Sequence, residues 1–340
     1  MRKAVLFVLA GALALPVPMA AQDAQPAAAN GAVDLKEWPV EWGGRPRDPY
    51  VAPDGKVWFV GQAGNYIAYF DPATETFKRY EIEEGTNPHN LIVDQDGFVW
   101  YAGNRNGRIG KLDPATGEVR IYMMPEGVRD PHTLIFDGRG NIWFTAQGSN
   151  RVGRLNMATG KIDIVVPHDQ PSNPYGIVID RDGRPWVALF RTNMVINIDP
   201  ETLAVTKYQQ ADSASRSRRI EWTSDGMVWY GDERRGYLGR IDPRTGEVKE
   251  WQMPGGPNSR PYALTKDGQE RLWISETGEK KQLVGFDPKT ERFFSVNPVS
   301  HTIRHMMYHH ETGTLWFGTD ANMIGRLVVS RVPSSRADEN

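Results

Sequence analysis

Short apolar runs recur along the chain, broken by Gly, Pro and Asp, and their spacing is regular. Trp58, Trp100, Trp143, Trp186, Trp229, Trp273 and Trp316 stand 42 to 44 residues apart. The same order of runs surrounds each of them. A turn signal comes first, as in Asp54-Gly55, Asp96-Gly97, Asp182-Gly183 and Asp225-Gly226, and then the run that carries the Trp. A third run follows with a glycine in it: Ile109-Gly110, Val152-Gly153, Leu238-Gly239, Val284-Gly285, Ile324-Gly325. A second turn stands at Asp71-Pro72, Asp113-Pro114, Asp199-Pro200, Asp242-Pro243 and Asp287-Pro288, and a fourth run carries Tyr80, Tyr122, Tyr208 or Trp251. Asp-Gly between apolar runs marks a tight hairpin, because Gly accepts positive φ. Each repeat therefore reads as four short strands. Four-stranded units at this period predict an all-β fold, a seven-bladed β-propeller of four-stranded antiparallel blades.

The seventh repeat ends after its third run, at Leu327 to Val329. Residues 36–40 (KEWPV) resemble residues 249–253 (KEWQM), which fill a fourth-strand slot. The N-terminal strand is thus expected to complete the last blade, leaving fewer open sheet edges. The chain divides into a secretory peptide (1–21), a leader (22–32), one propeller domain (33–330) and a flexible tail (331–340). Arg2 and Lys3 followed by the apolar residues 4–15 make the export signal. That run is too short to span a bilayer, which takes roughly 20 residues. A periplasmic or secreted protein with no membrane span is expected. The 40 Lys and Arg against 42 Asp and Glu leave a net charge of −2, which disfavours nucleic acid as a partner. Cysteine is absent, which removes disulfides, thiolate nucleophiles and Cys-ligated metals.

One column points at the axis. Eleven residues before each Trp stand Arg47, His89, His132, Tyr175, Arg218, Tyr262 and His305. Pro46, Pro88, Pro131, Pro174 and Pro261 precede five of them, where a loop would enter the innermost strand of a blade. The seven are expected to ring one mouth of the channel. A site that needs a base, donors and positive charge would have this composition. A wet channel mouth would also be polar without any chemistry. The loops that begin three or four residues after each Trp should approach the same rim with Gln62, Asn104, Gln147, Asp232, Glu233, Glu276 and Asp320. The blade-five arginines Arg216, Arg218, Arg219, Arg234 and Arg235 could hold an anion, with solvated loop positions the default for all but Arg218. The Trp column reads as core.

The chain resembles the virginiamycin B lyase (streptogramin lyase) family of seven-bladed propellers. The resemblance rests on Pro-His inner strands (88–93 and 131–136), on Trp143-Phe144-Thr145, and on apolar-Gly-basic third strands such as 109–112, 152–155 and 324–327. It implies eliminative cleavage of an ester-type bond in a small polar or cyclic peptide-like substrate. In that family a histidine takes a Cα proton, the ester oxygen leaves, and Mg²⁺ held partly by carboxylates stabilises the enolate-like charge. The family pattern is Pro-His, then Glu-Pro-His, then Glu after the following Trp. Here it falls on Pro88-His89 and Asp130-Pro131-His132, with Gln147 in the last position. The resemblance implies His132 as base, His89 as its partner, Asp130 as carboxylate, and Asp130 with Gln147 at Mg²⁺. Arg47, Tyr175, Arg218, Tyr262 and His305 would contact substrate. The sequence departs in having Asp130 and Gln147 for two Glu, and in placing the pair in blades two and three rather than near the C-terminal end.

Two other functions fit the column. A non-catalytic propeller would hold a small anion or a peptide on Arg47, Arg218 and the tyrosines. A lactonase-type hydrolase would need several carboxylate or Asn ligands converging on the axis, and the column contains no acid. The expected partner is a small-molecule substrate, with a peptide the alternative in the binding reading, and the expected state is a monomer.

Overall fold

The computed structural model describes residues 34–329. The expected secretory peptide, leader and C-terminal tail lie outside the described residues. Among these, 28 strands form seven four-stranded antiparallel sheets, and no helix is present. Among the described residues no helix is therefore long and apolar enough to cross a membrane. Six sheets take their strands in chain order. The seventh pairs Leu35–Pro39 with Met323–Val328, Trp38 opposite Ile324, so the N-terminal strand closes the ring as its sequence implied. Trp38 then packs 5.9 Å from Trp316 and 4.7 Å from Phe70 of the first blade, between ring centroids.

The repeat tryptophans are core: none is more than 4% exposed. A buried indole still needs a partner for its N–H. Asp94, Asp137, Asp180 and Asp267, each six residues before a Trp, accept the Nε1–H of Trp100, Trp143, Trp186 and Trp273 at 2.8 to 3.3 Å. Thr223 does the same for Trp229 at 2.9 Å. The same carboxylates accept backbone N–H groups of the intervening hairpin, as Asp94 does from Asp96 and Phe98. One residue thus shapes the turn and satisfies the core. The glycine of the third run has a packing reason. A Cβ on Gly153 would lie 2.1 Å from the Phe144 ring, and one on Gly239 would lie 2.1 Å from Tyr230.

The innermost strands are Pro46–Val51, Pro88–Val93, Pro131–Phe136, Pro174–Ile179, Ser217–Trp222, Pro261–Lys266 and Ile303–His309. In every one the register with its neighbour shifts after the first or second paired residue. A bulge there breaks strict alternation, so two successive side chains turn to the axis. Further along, the residues opposite the tryptophans are Tyr50, Ile92, Ile135, Val178, Glu221, Thr265 and Met307. The channel is therefore lined in three tiers.

Asp94→Ala should cost about 1–3 kcal/mol, because it strands the Trp100 N–H in a dry core. Urea unfolding midpoints check this, and an unchanged midpoint would show that the tether is dispensable.

Candidate active site at the channel axis

The first tier is a packed cluster. His89 and His132 stack with ring centroids 3.4 Å apart, and Tyr175 meets His132 edge-on at 4.4 Å. The hydroxyls of Tyr175 and Tyr262 hydrogen-bond to each other across the channel. The Arg218 guanidinium lies 3.9 Å from the Phe190 ring, 4.7 Å from Tyr262 and 5.3 Å from Tyr175. Arg47 donates Nη1 to Gln62 at 3.0 Å and Nε to Asp48 at 2.9 Å. His305 lies in the same electrostatic neighbourhood, beside Arg219, Asp48 and Arg47. All seven expected rim positions thus converge, through contacts or charge. Four buried side-chain nitrogens among them have no hydrogen-bond partner: Arg47 Nη2, His89 Nδ1, Arg218 Nε and His305 Nδ1.

The second tier carries the residues that sequence reasoning missed. Asp48, wholly buried, accepts from Arg47, from Arg219 Nη2 at 3.1 Å and from Asn90 Nδ2 at 3.0 Å. Arg219 also reaches Thr133 Oγ1 at 3.0 Å and the Arg304 carbonyl at 3.4 Å. Thr133 Oγ1 in turn bonds His132 Nδ1 at 2.9 Å. The expectation of Arg219 as a solvated loop residue is corrected: the bulge turns it into the channel, where only a carboxylate makes its burial tolerable. Arg235 is likewise paired, with Glu250 at 2.9 Å. A signal existed, since Asp48, Asn90, Thr133 and Arg219 form the very next column of the repeat.

Burial lowers the pKa of all three histidines. For His89 the nearby Arg47 and Arg219 add to this, and for His132 so does its neighbour His89. His305 is pushed down to about 3 by burial and Arg219, against the pull of Asp48. The three imidazoles are thus neutral at pH 7. Burial would raise the Asp48 carboxyl, but Arg47, His305 and Arg219 hold it well below the carboxylate range. Burial also pushes Tyr175 up to about 12, with Tyr262 adding to it. Tyr262 is lowered despite its burial, because Arg47 and Arg218 face it. The first-tier column itself carries two guanidinium groups, Arg47 and Arg218, and no carboxylate.

The donor set does not fit Mg²⁺ between Asp130 and Gln147. Asp130 lies on the loop before its blade and accepts from Gly148 N–H, Ser149 N–H at 3.0 Å and Ser149 Oγ. Gln147 sits on the turn opposite, where its backbone carbonyl accepts from the Asn150 N–H. Among the described residues no group of three or more His, Asp and Glu could hold a metal. The other rim carboxylates have their own partners. Asp320 pairs with Arg304 at 2.6 Å, Glu233 accepts from Arg260 at 2.7 Å, Glu276 accepts from Gly255 N–H at 2.8 Å, and Asp232 accepts from Arg216 N–H at 3.0 Å.

A model of the virginiamycin B lyase family matches residues 162–332. A solved streptogramin B lyase superposes with a TM-score of 0.78 at 26% identity, covering 87% of this chain and 97% of that one. A catalytically inactive histidine-to-alanine variant of virginiamycin B lyase from Staphylococcus aureus, with quinupristin, gives 0.78 at 25% identity, covering 87% and 99%. The extracellular domain of a hybrid two-component system from B. thetaiotaomicron shares the fold, at 0.71 and 19% identity over 92% of this chain and 44% of that one. A comparison with curated protein sequences finds no match.

The neutral histidines have a consequence for stability. The unfolded chain takes up their protons near pH 6.5, whereas the folded chain resists until well below it, so their contribution is full above 6.5 and lost as the pH falls. His305→Gln should make the fall of unfolding free energy shallower by about 1.4 kcal/mol per pH unit below 6.5. Urea unfolding at several pH values from 7 down to 5 checks this, with parallel profiles as the contrary result.

Proposed function

We propose, on the premise that this chain belongs to the virginiamycin B lyase family, that it is an exported carbon–oxygen lyase. It opens an ester-type bond in a small cyclic or peptide-like substrate at the first tier of the channel. The observation that carries the reading is the stacked, neutral His89–His132 pair set among guanidinium groups with unused donors.

The chemistry asks for a base and for positive charge. The base removes a proton from a carbon beside a carbonyl, the electron pair forms a carbon–carbon double bond, and the ester oxygen departs as a carboxylate. No water is consumed. A neutral imidazole can accept the proton at pH 7. His132 Nδ1 is held by Thr133, whereas His89 Nδ1 has no partner. We therefore assign proton uptake to His89 and its positioning to His132, the reverse of the roles that the resemblance implies. Arg47 and Arg218 face the developing charges of enolate and leaving carboxylate, in a site where burial strengthens their effect. Periplasmic or secreted location accords with an extracellular propeller domain among the structural neighbours. A binding propeller is the second reading, favoured by the rim side chains satisfying one another, as Tyr175 and Tyr262 do.

Incubation with quinupristin and with simpler cyclic esters, followed by mass spectrometry, separates these readings. Elimination opens the ring at constant mass and leaves an alkene, hydrolysis adds one water, and a binding module returns the compound intact. His89→Ala and His132→Ala should each lower turnover by about 10²- to 10⁴-fold. Full turnover in both variants would move the base to His305, the one first-tier histidine inside the family match.

A further inference from the structure

Below the bridge between Asp48 and Arg219 the channel widens into a cavity of about 330 Å³. His305 of the first tier and Asn90, Thr133 and Arg219 of the second line part of it, whereas the stacked His89 and His132 do not, so binding there is read apart from turnover. Small-molecule sites run from about 300 to 1,000 Å³. The seven residues opposite the repeat tryptophans all line it. Ile92, Ile135, Val178 and Met307 make that ring apolar, and Glu221 is the only carboxyl lining the cavity among the described residues.

Among the described residues Glu221 makes no ion pair, although Lys266 acts on it at longer range. One of its oxygens accepts the Trp222 N–H at 2.8 Å. Lys266 also lines the cavity, but its ammonium is 2.9 Å from Glu270 and 4.6 Å from the Trp222 ring centroid. Burial pushes the Glu221 carboxyl up to about 7, against the Trp222 N–H and Lys266 and with help from Glu270. A carboxylate in an apolar ring is costly until a partner arrives. A positive head with an apolar body would supply the partner and fill the ring together. We propose that this lower mouth is a second ligand site, selective for a small apolar ammonium whose head pairs with Glu221 and whose body lies against Ile92, Val178 and Met307.

Three probes share a ring and differ in the head group: cyclohexylammonium, cyclohexanol and cyclohexanecarboxylate. Calorimetric titration of the purified protein at pH 8 should show one-site binding of the ammonium. The alcohol should bind at least about tenfold more weakly and the carboxylate more weakly still. Glu221→Gln keeps the shape and removes the charge, so ammonium affinity should fall about tenfold or more, to the level of the alcohol. Met307→Trp should weaken all three probes by filling the ring, whatever the charge. Lowering the pH from 8 to 6 should cost the ammonium about tenfold per unit once Glu221 takes its proton.

Other groups face Glu221. They are Arg219 on its own strand, held by Asp48; Lys266 with Glu270 from the sixth blade; Tyr50 from the first; and Tyr308, His305 and His310 from the seventh. His305 stays neutral across that range. The series is therefore repeated in His310→Gln, where the same slope is expected. Equal binding of ammonium and alcohol, unchanged ammonium affinity in Glu221→Gln, or no ammonium binding at all would each overturn the proposal.

Discussion

The interior of the ring depends on one carboxylate. Asp48, with φ at +50°, is wholly buried and joins Arg47 beside it to Asn90 of the second blade and Arg219 of the fifth. Arg219 passes the linkage on to Thr133 in the third blade and to the Arg304 carbonyl in the seventh. Four blades are tied to the first at the one place where all the innermost strands come close. Such a centre cannot be left half-made, because each buried charge is tolerable only with its partners in place.

The bridge also divides the channel. Above it, cationic side chains and burial keep three imidazoles neutral, and several nitrogens remain without partners. The guanidinium groups can steady an anion there, while the same charge and burial make each imidazole harder to protonate. The charge that the family's chemistry assigns to a metal is here available from guanidinium groups fixed by packing against Phe190 and by hydrogen bonds to Gln62 and Asp48. Below the bridge Ile92, Ile135, Val178 and Met307 bring apolar surface to the wall, and a single carboxyl, Glu221, lines it among the described residues. One closed ring thus holds two unlike chemical environments, back to back.

Blade number, strand order and ring closure were legible in the sequence, because a repeat of 42 to 44 residues stacks alike sheets, each with the same core Trp and most with the same turn and glycine. The first-tier column was legible for the same reason: a position that recurs in every repeat recurs at the same radius. Contacts between repeats were not. Strict alternation sends Asp48 and Arg219 away from the axis, and only the bulge in each inner strand turns two neighbours inward together. The use of Asp130 by the Gly148–Ser149 turn was hidden as well, since it depends on how two loops meet. Sequence by itself determined the architecture and the ring of candidate residues, since local periodicity sets both. Tertiary structure alone decided charge states, partners and free space, because these follow from distances between residues far apart in the chain, such as Asp48 and Arg219, 171 positions apart.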